Sequence, residues 1–190
     1  MTLIDARTLG PEPSGIGVYT LNLLRGICVA QPDRPVNVWV RPEVVGSLPA
    51  LVQGSSALRL IERGGSPASL GHWVTGGRAA KRDAAGGVIH VPDVFAPLGW
   101  RPWGGAPAVV TLHDVIPLVC KGQLAKSRKQ QWAWVWRAWL KMQTARAARV
   151  VTVSAFSADD IVETLGVPRE KNGGDSQCSA ATREGFGKGS

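Results

Sequence analysis

AVVTLHDVIP, residues 108–117, sets four aliphatic side chains and a threonine in a row and then breaks off in two polar residues, His113 and Asp114. A strand with one wet face alternates apolar and polar side chains, whereas a strand covered by helices on both faces reads as an apolar run. VIHV, residues 88–91, is a second compact run of this kind. Such strands belong to parallel sheets, whose crossovers are usually helices, so helical patterns are expected on either side.

Those patterns are present along the chain up to about residue 166. Thr2 to Asp5 reads as a short buried strand, and the loop RTLGPEPSGIG, residues 7–17, leads into a helix over Gly17 to Ala30. Val18, Leu21, Leu24 and Cys28 recur at helical spacing and are expected to form its buried stripe. Strands follow at Val36 to Val40 and Leu58 to Ile61, with one short helix at Pro42 to Gln53 and a glycine-interrupted helix at Ser69 to Lys81. A loop rich in proline, glycine and tryptophan fills Pro92 to Pro107. A long helix is expected over Gly122 to Arg149, then a strand at Val150 to Val153 and a helix at Ala155 to Leu165, capped by Ser154 and stopped by Gly166 and Pro168. The class is α/β, and the right-handed crossover rule leaves a doubly wound, mainly parallel sheet of about six strands.

The 190 residues suit one domain, placed at 1–170. From Lys171 the chain has one large apolar residue, Phe186, and no periodicity, so 171–190 is expected to be a disordered or aberrant tail. No apolar run is long enough to cross a bilayer, and MTLIDAR lacks the marks of a signal peptide, which points to the cytoplasm. Cys28, Cys120 and Cys178 are odd in number and far apart, as reduced thiols would be, and no metal site is indicated. The formal charge of +8 favours an anionic partner. The basic residues are scattered and not gathered in an arm, which argues against nucleic acid and leaves acidic lipid or a phosphorylated small molecule.

In open α/β sheets ligands bind beyond the carboxyl ends of the strands, and four places qualify. Gly15 and Gly17 precede the first long helix, where they form either a tight structural turn or a cradle for phosphate. His113 ends an apolar strand and is either a structural histidine or one that bonds a sugar hydroxyl or moves a proton. Its neighbour Asp114 would orient it or meet a helix start. Ser154 is explained by capping alone, while HVPD, residues 90–93, either shapes a cleft floor or turns the chain. Trp132, Trp136 and Trp139 share one helical face suited to packing. Trp134 points elsewhere and, with Arg128, Lys129, Arg137 and Lys141, could rest on acidic headgroups.

Three blocks carry a resemblance: IDARTL (4–9) with SGIGVYT (14–20), HVPD (90–93) through VVTLHDVIP (109–117), and AARVVTVSAFSADDI (147–161). In order and spacing, over about Leu3 to Lys171, they resemble the N-terminal domain of the retaining GT-B glycosyltransferases, the group 1, family 4-like enzymes related to bacterial mannosyl- and glucosyltransferases. The resemblance implies a Rossmann-like domain on the acceptor side of a cleft. It also implies transfer of a hexose from a nucleotide diphosphate sugar to a sugar or lipid-linked acceptor, with retention and without metal or cofactor. By carry-over His113 and Asp114 take the catalytic positions, His113 contacting the transferred sugar. Gly15 and Gly17 approach the donor phosphates or the acceptor, and Ser154 lines the cleft.

In that family the chain continues, after a segment like VPREK (167–171), into a second domain that neutralises the leaving diphosphate. This sequence is therefore expected to be a truncated half, inactive or weakly active alone, which self-associates or works with a separate donor-binding domain. The alternatives are a non-catalytic module for phosphosugars or glycans and a membrane-associated interaction module at the inner face of the membrane.

Overall fold

The computed structural model describes residues 2–13, 15–31, 33–67, 69–95, 106–119 and 133–171. The tail beyond Lys171, Trp132 with the amino-terminal part of the long helix, Arg128, Lys129, Cys120 and the middle of the tryptophan-rich loop lie outside these residues.

Six strands form one sheet: β1 (Leu3–Asp5), β2 (Val36–Val40), β3 (Leu58–Glu62), β4 (Ile89–Val91), β5 (Ala108–Thr111) and β6 (Arg149–Val151), in the order β3-β2-β1-β4-β5-β6. The pairs β1–β2, β2–β3, β1–β4 and β4–β5 are parallel, with Leu3 opposite both Asn37 and Ile89. The α/β class read from the apolar runs is the one observed. By its contacts the chain divides into two compact units, residues 1–110 and 111–190.

In the first unit the helices are α1 (Ile16–Ala30), α2 (Pro42–Val45), α3 (Ala50–Gln53) and α4 (Leu70–Ala84). Side chains along β2 alternate between faces, as a strand requires. Val38 and Val40 join a buried cluster with Leu24 and Cys28 of α1, Val44 of α2 and Val52 of α3. Asn37 and Trp39 turn the other way and bond to Asp83 of α4, so helices cover both faces of this strand. Each fully buried Leu, Ile or Val contributes roughly 1.5–3 kcal/mol, and Leu24→Ala is the kind of change that would open the cluster.

Three expectations are corrected here. The stripe of α1 is Gly17, Thr20, Leu24 and Cys28, while Val18 is 44 % exposed and Leu21 only packs against the cluster from its edge. The helix is rotated because Gly17, without a side chain, lies tight under Pro13, where a Cβ would come within 3.2 Å of the proline's own. The single helix expected at Pro42 to Gln53 is two short ones, since Pro49 has no amide to continue a helical ladder and instead starts α3. The helix expected at Ser69 to Lys81 begins one residue later, with Ser69 as its cap accepting from the His72 amide at 3.2 Å, and runs on to Ala84.

In the second unit α5 (Ile116–Val119), α6 (Ala133–Arg146) and α7 (Ala155–Leu165) are in mutual contact, and a short 3-10 turn covers Arg169–Lys171. Leu140, Val150, Ile161 and Leu165 are buried. Trp136 and Trp139 are half-buried on α6, as their shared face predicts, and Trp134 is 72 % exposed. Among the described residues no helix is long and apolar enough to cross a membrane.

Candidate functional site

β1 ends in Asp5, and the chain turns so that Arg7 folds back on it. Arg7 donates from Nε to Asp5 Oδ1 at 2.8 Å and from Nη2 to Asp5 Oδ2 at 2.6 Å. Asp5 is 2 % exposed and Arg7 4 %. Burying such a pair is tolerable because the two planar groups meet in a fork and satisfy each other. Nη2 also lies 3.0 Å from both ring nitrogens of His72, on α4. Burial, and next the Arg7 charge, push the His72 pKa down to about 4 against the pull of Asp5, so the ring is neutral at pH 7 and offers a lone pair to the guanidinium.

Trp39 completes this cluster. The guanidinium carbons of Arg7 and Arg63 stand 4.9 and 4.6 Å from its ring centre, and its indole Nε1 donates to Asp83 Oδ2 at 2.9 Å. Arg63 reaches the same carboxylate at 3.3 Å.

Beside the cluster lies a cleft of about 420 Å³. Each wall follows a strand's carboxyl end: Arg7 and Thr8 after β1, Arg41 after β2, Ser66 and Pro67 after β3, and Asp93 and Phe95 after β4. The amino end of α1, at Ile16 and Gly17, forms the remaining wall. The opening sits beside β1, where β2 lies on one side and β4 on the other, which is the switch point at which open α/β sheets hold ligands.

Of the glycines singled out from the sequence, Gly15 caps α1 with φ +51° and ψ −112°, a conformation suited to glycine. Gly17 is buried and lines the cleft, so the turn and the cleft wall are both features of this segment. HVPD divides by role. His90 is partly buried, which pushes its pKa down to about 4, while Asp93 lines the cleft, 8 % exposed, and accepts from the Val94 amide at 2.5 Å.

The other named residues belong to the second unit. Leu112 donates its amide to Val151 O at 2.8 Å, and His113 follows it, half-buried at the end of β5. Asp114 is exposed and its Oδ1 accepts from the Ile116 amide at 3.1 Å, the helix-start contact that was one of its two readings. Ser154 caps α7, accepting from the Ser157 amide at 3.1 Å and donating to Ser157 Oγ at 3.0 Å. Asp159 pairs with Arg169 at 2.7 Å.

Sequence reasoning missed Arg7, Arg41, Thr8, Trp39 and His72. The Asp-x-Arg pattern directly after a buried strand is the signal that could have found Arg7. His72 is 65 positions away on a glycine-broken helix and gives none.

The fold is that of an α/β protein with a cleft at the switch point of a parallel sheet, the place where open α/β sheets hold ligands. The family model described as Glycosyltransferase Family 4 matches residues 37–172, and the chain belongs to that family. Its six-stranded α/β sheet is the Rossmann-like arrangement of a GT-B N-terminal domain. Arg41, Ser66 and Asp93 fall within the matched span, while Arg7, Thr8, Gly15 and Gly17 precede it. No curated protein matches the chain.

Proposed function

We propose that this chain supplies the acceptor side of a retaining glycosyltransferase that moves a hexose from a nucleotide diphosphate sugar, without metal or cofactor, and that turnover needs a donor-binding domain. The bond from the anomeric carbon to the diphosphate oxygen breaks, the acceptor oxygen takes its place on the same face, and the acceptor's proton leaves with the diphosphate. In the first unit Gly15 and Gly17 let backbone approach a phosphate or acceptor; in the second, the resemblance gives His113, beside Asp114, contact with the transferred sugar and gives Ser154 a place at the substrate.

The observation that supports this reading is the cleft itself, placed where strands β1 to β4 end and faced by the glycine-started helix α1. The test is transfer of labelled hexose with a panel of nucleotide sugars, with and without a donor-binding domain added in trans. Product in the presence of that domain, lost in His113→Ala, is the expected result. Binding without product under any combination favours a non-catalytic module, and neither binding nor product removes the reading.

One observation favours a peripheral role at a membrane as well. Trp134, Arg137 and Lys141 are all exposed, at helical spacing on one face of α6. Sedimentation with liposomes that depends on acidic lipid and falls with salt would support it, and failure to sediment at low salt would remove it.

A further inference from the structure

An exposed apolar side chain is ordinary when it stands alone and informative when others gather beside it. In the second unit six large ones are exposed among the described residues: Ile116, Val119, Trp134, Val135, Val153 and Phe156. Ile116 and Val119 belong to α5, directly after β5, while Val153 and Phe156 follow directly on β6. The amide of Leu112 on Val151 O, at 2.8 Å, ties those two strand ends together. α6 runs down to Arg146 and so into β6, which carries its first turn, with Trp134 and Val135, back toward the same strand ends, and α6 touches both α5 and α7. The six therefore share one end of the unit.

Charge says what covers this end. Residues 115–158 contain eight lysines and arginines and no aspartate or glutamate, and the rest of the chain holds 14 of each sign, so the whole net charge of +8 falls within this stretch. Arg137 and Lys141 are exposed one and two helical turns beyond Trp134. The acids that flank the stretch are engaged, Asp114 by the Ile116 amide and Asp159 by Arg169. A second copy would set like charge against like, and a nucleic acid would answer the charge but leave Val153 and Phe156 in water. An acidic bilayer answers both, with anionic headgroups for the cations and an acyl boundary for the aromatic and aliphatic side chains.

We infer that this end of the second unit is a membrane seat, in which Phe156 and Val153 enter the boundary of a bilayer rich in acidic lipid beside Trp134, while Arg137 and Lys141 meet its headgroups. The inference rests on the peripheral reading of α6 and goes past it, because α7 supplies an anchor of its own. Phe156 is 76 % exposed, so its ring gains from lipid without any rearrangement of the core.

The test is sedimentation of the full chain with vesicles of phosphatidylcholine alone and of phosphatidylcholine mixed with phosphatidylglycerol, repeated with Phe156→Ser, with Val29→Ser and with Arg137→Glu combined with Lys141→Glu. Only the acidic vesicles are expected to carry the chain down, with Phe156→Ser weakening partition about fivefold or more and the double charge reversal about tenfold or more. Phe156→Ser is expected to leave the melting temperature unchanged, since the ring it removes is exposed. Val29, in the first unit, is 77 % exposed, and Val29→Ser is expected to leave partition as it was. A loss in Val29→Ser equal to that in Phe156→Ser overturns the seat. Retention by polyuridylate without sedimentation overturns it in favour of a nucleic acid. A lipid-free complex with a second copy or with a donor-binding domain, weakened by Phe156→Ser while vesicles fail to bind, overturns it in favour of protein. If acidic vesicles bind and Phe156→Ser binds equally well, the inference falls and the α6 reading stands. If no vesicle carries the chain down at low salt, both fall.

Discussion

The guanidinium of Arg7 is clasped by the carboxylate of Asp5, two residues earlier, through a two-point fork with both side chains buried. The pair fixes the end of β1 against the cleft wall. Asp5→Ala leaves the arginine charge buried with neutral His72 and the Trp39 ring against it and no carboxylate, and we expect a loss of about 3–5 kcal/mol, read from urea unfolding of the chain. Replacing both members with apolar residues of similar volume is expected to restore much of that loss while weakening ligand binding in the cleft. A double variant as unstable as Asp5→Ala would show that the pair is not the unit that matters.

Acid should weaken this unit through two histidines. His72 and His90 each titrate near 4 in the folded chain and near 6.5 when unfolded. Between those values the unfolded chain binds more protons, so stability rises with pH through this window and is lost as pH falls from about 6.5 toward 4. The groups facing His72 are Arg7, Arg63 and Asp5. Unfolding midpoints measured from pH 4 to 8 are expected to be flat above pH 7 and to fall below it by a few kcal/mol in all. His72→Gln should flatten the slope, and a slope unchanged by that substitution would assign it to other groups.

Backbone conformation gives a pair of opposite predictions. At Gly15 a Cβ meets nothing within 4 Å, so Gly15→Ala tests conformation alone, and φ +51° with ψ −112° is expected to cost about 1–3 kcal/mol. Ala85 ends α4 in the left-handed region at φ 47° and ψ 46°, where glycine is the ordinary residue. Ala85→Gly is expected to raise stability by about 0.5–1 kcal/mol, visible as a higher melting temperature.

Ser154→Ala removes the cap of α7 and is expected to cost about 1 kcal/mol, with Ser154→Asp keeping most of it. The same variants tested for hexose transfer separate the two roles of this residue. A rate that follows stability marks a cap only, and a rate lost in both Ala and Asp marks a contact with the substrate.

The layering of the fold was legible because AVVTL and VIHV are unbroken enough to demand cover on both faces, and because Ser154 and Gly166 punctuate their helix in ways a chain can hardly disguise. The rotation of α1 was not. A hydrophobicity pattern favours Val18, and only the close approach of Gly17 to Pro13 turns that valine outward. For the candidate site, Gly17 and the HVPD segment fell where the strand-end rule sends attention. Arg7 and Arg41 escaped it because an arginine in sequence looks like surface. What makes Arg7 otherwise is the company of Asp5, His72 and Trp39, gathered from separate elements by the sheet, and Arg41 is held by the carbonyl of Leu9.

β1 takes hydrogen-bonded neighbours on both sides, β2 and β4, and Leu3 is set beside Ile89 as well as Asn37. A chain emerging from the ribosome carries Leu3 long before Ile89, so the second flank of that strand does not exist until Ile89 to Val91 have been synthesised. Until then β1 has an open edge, and the cleft has neither Asp93 nor Phe95 to close it. β1 is thus secured on its second side only well after it has been made, and nascent chains halted short of β4 should be open to proteases at this strand.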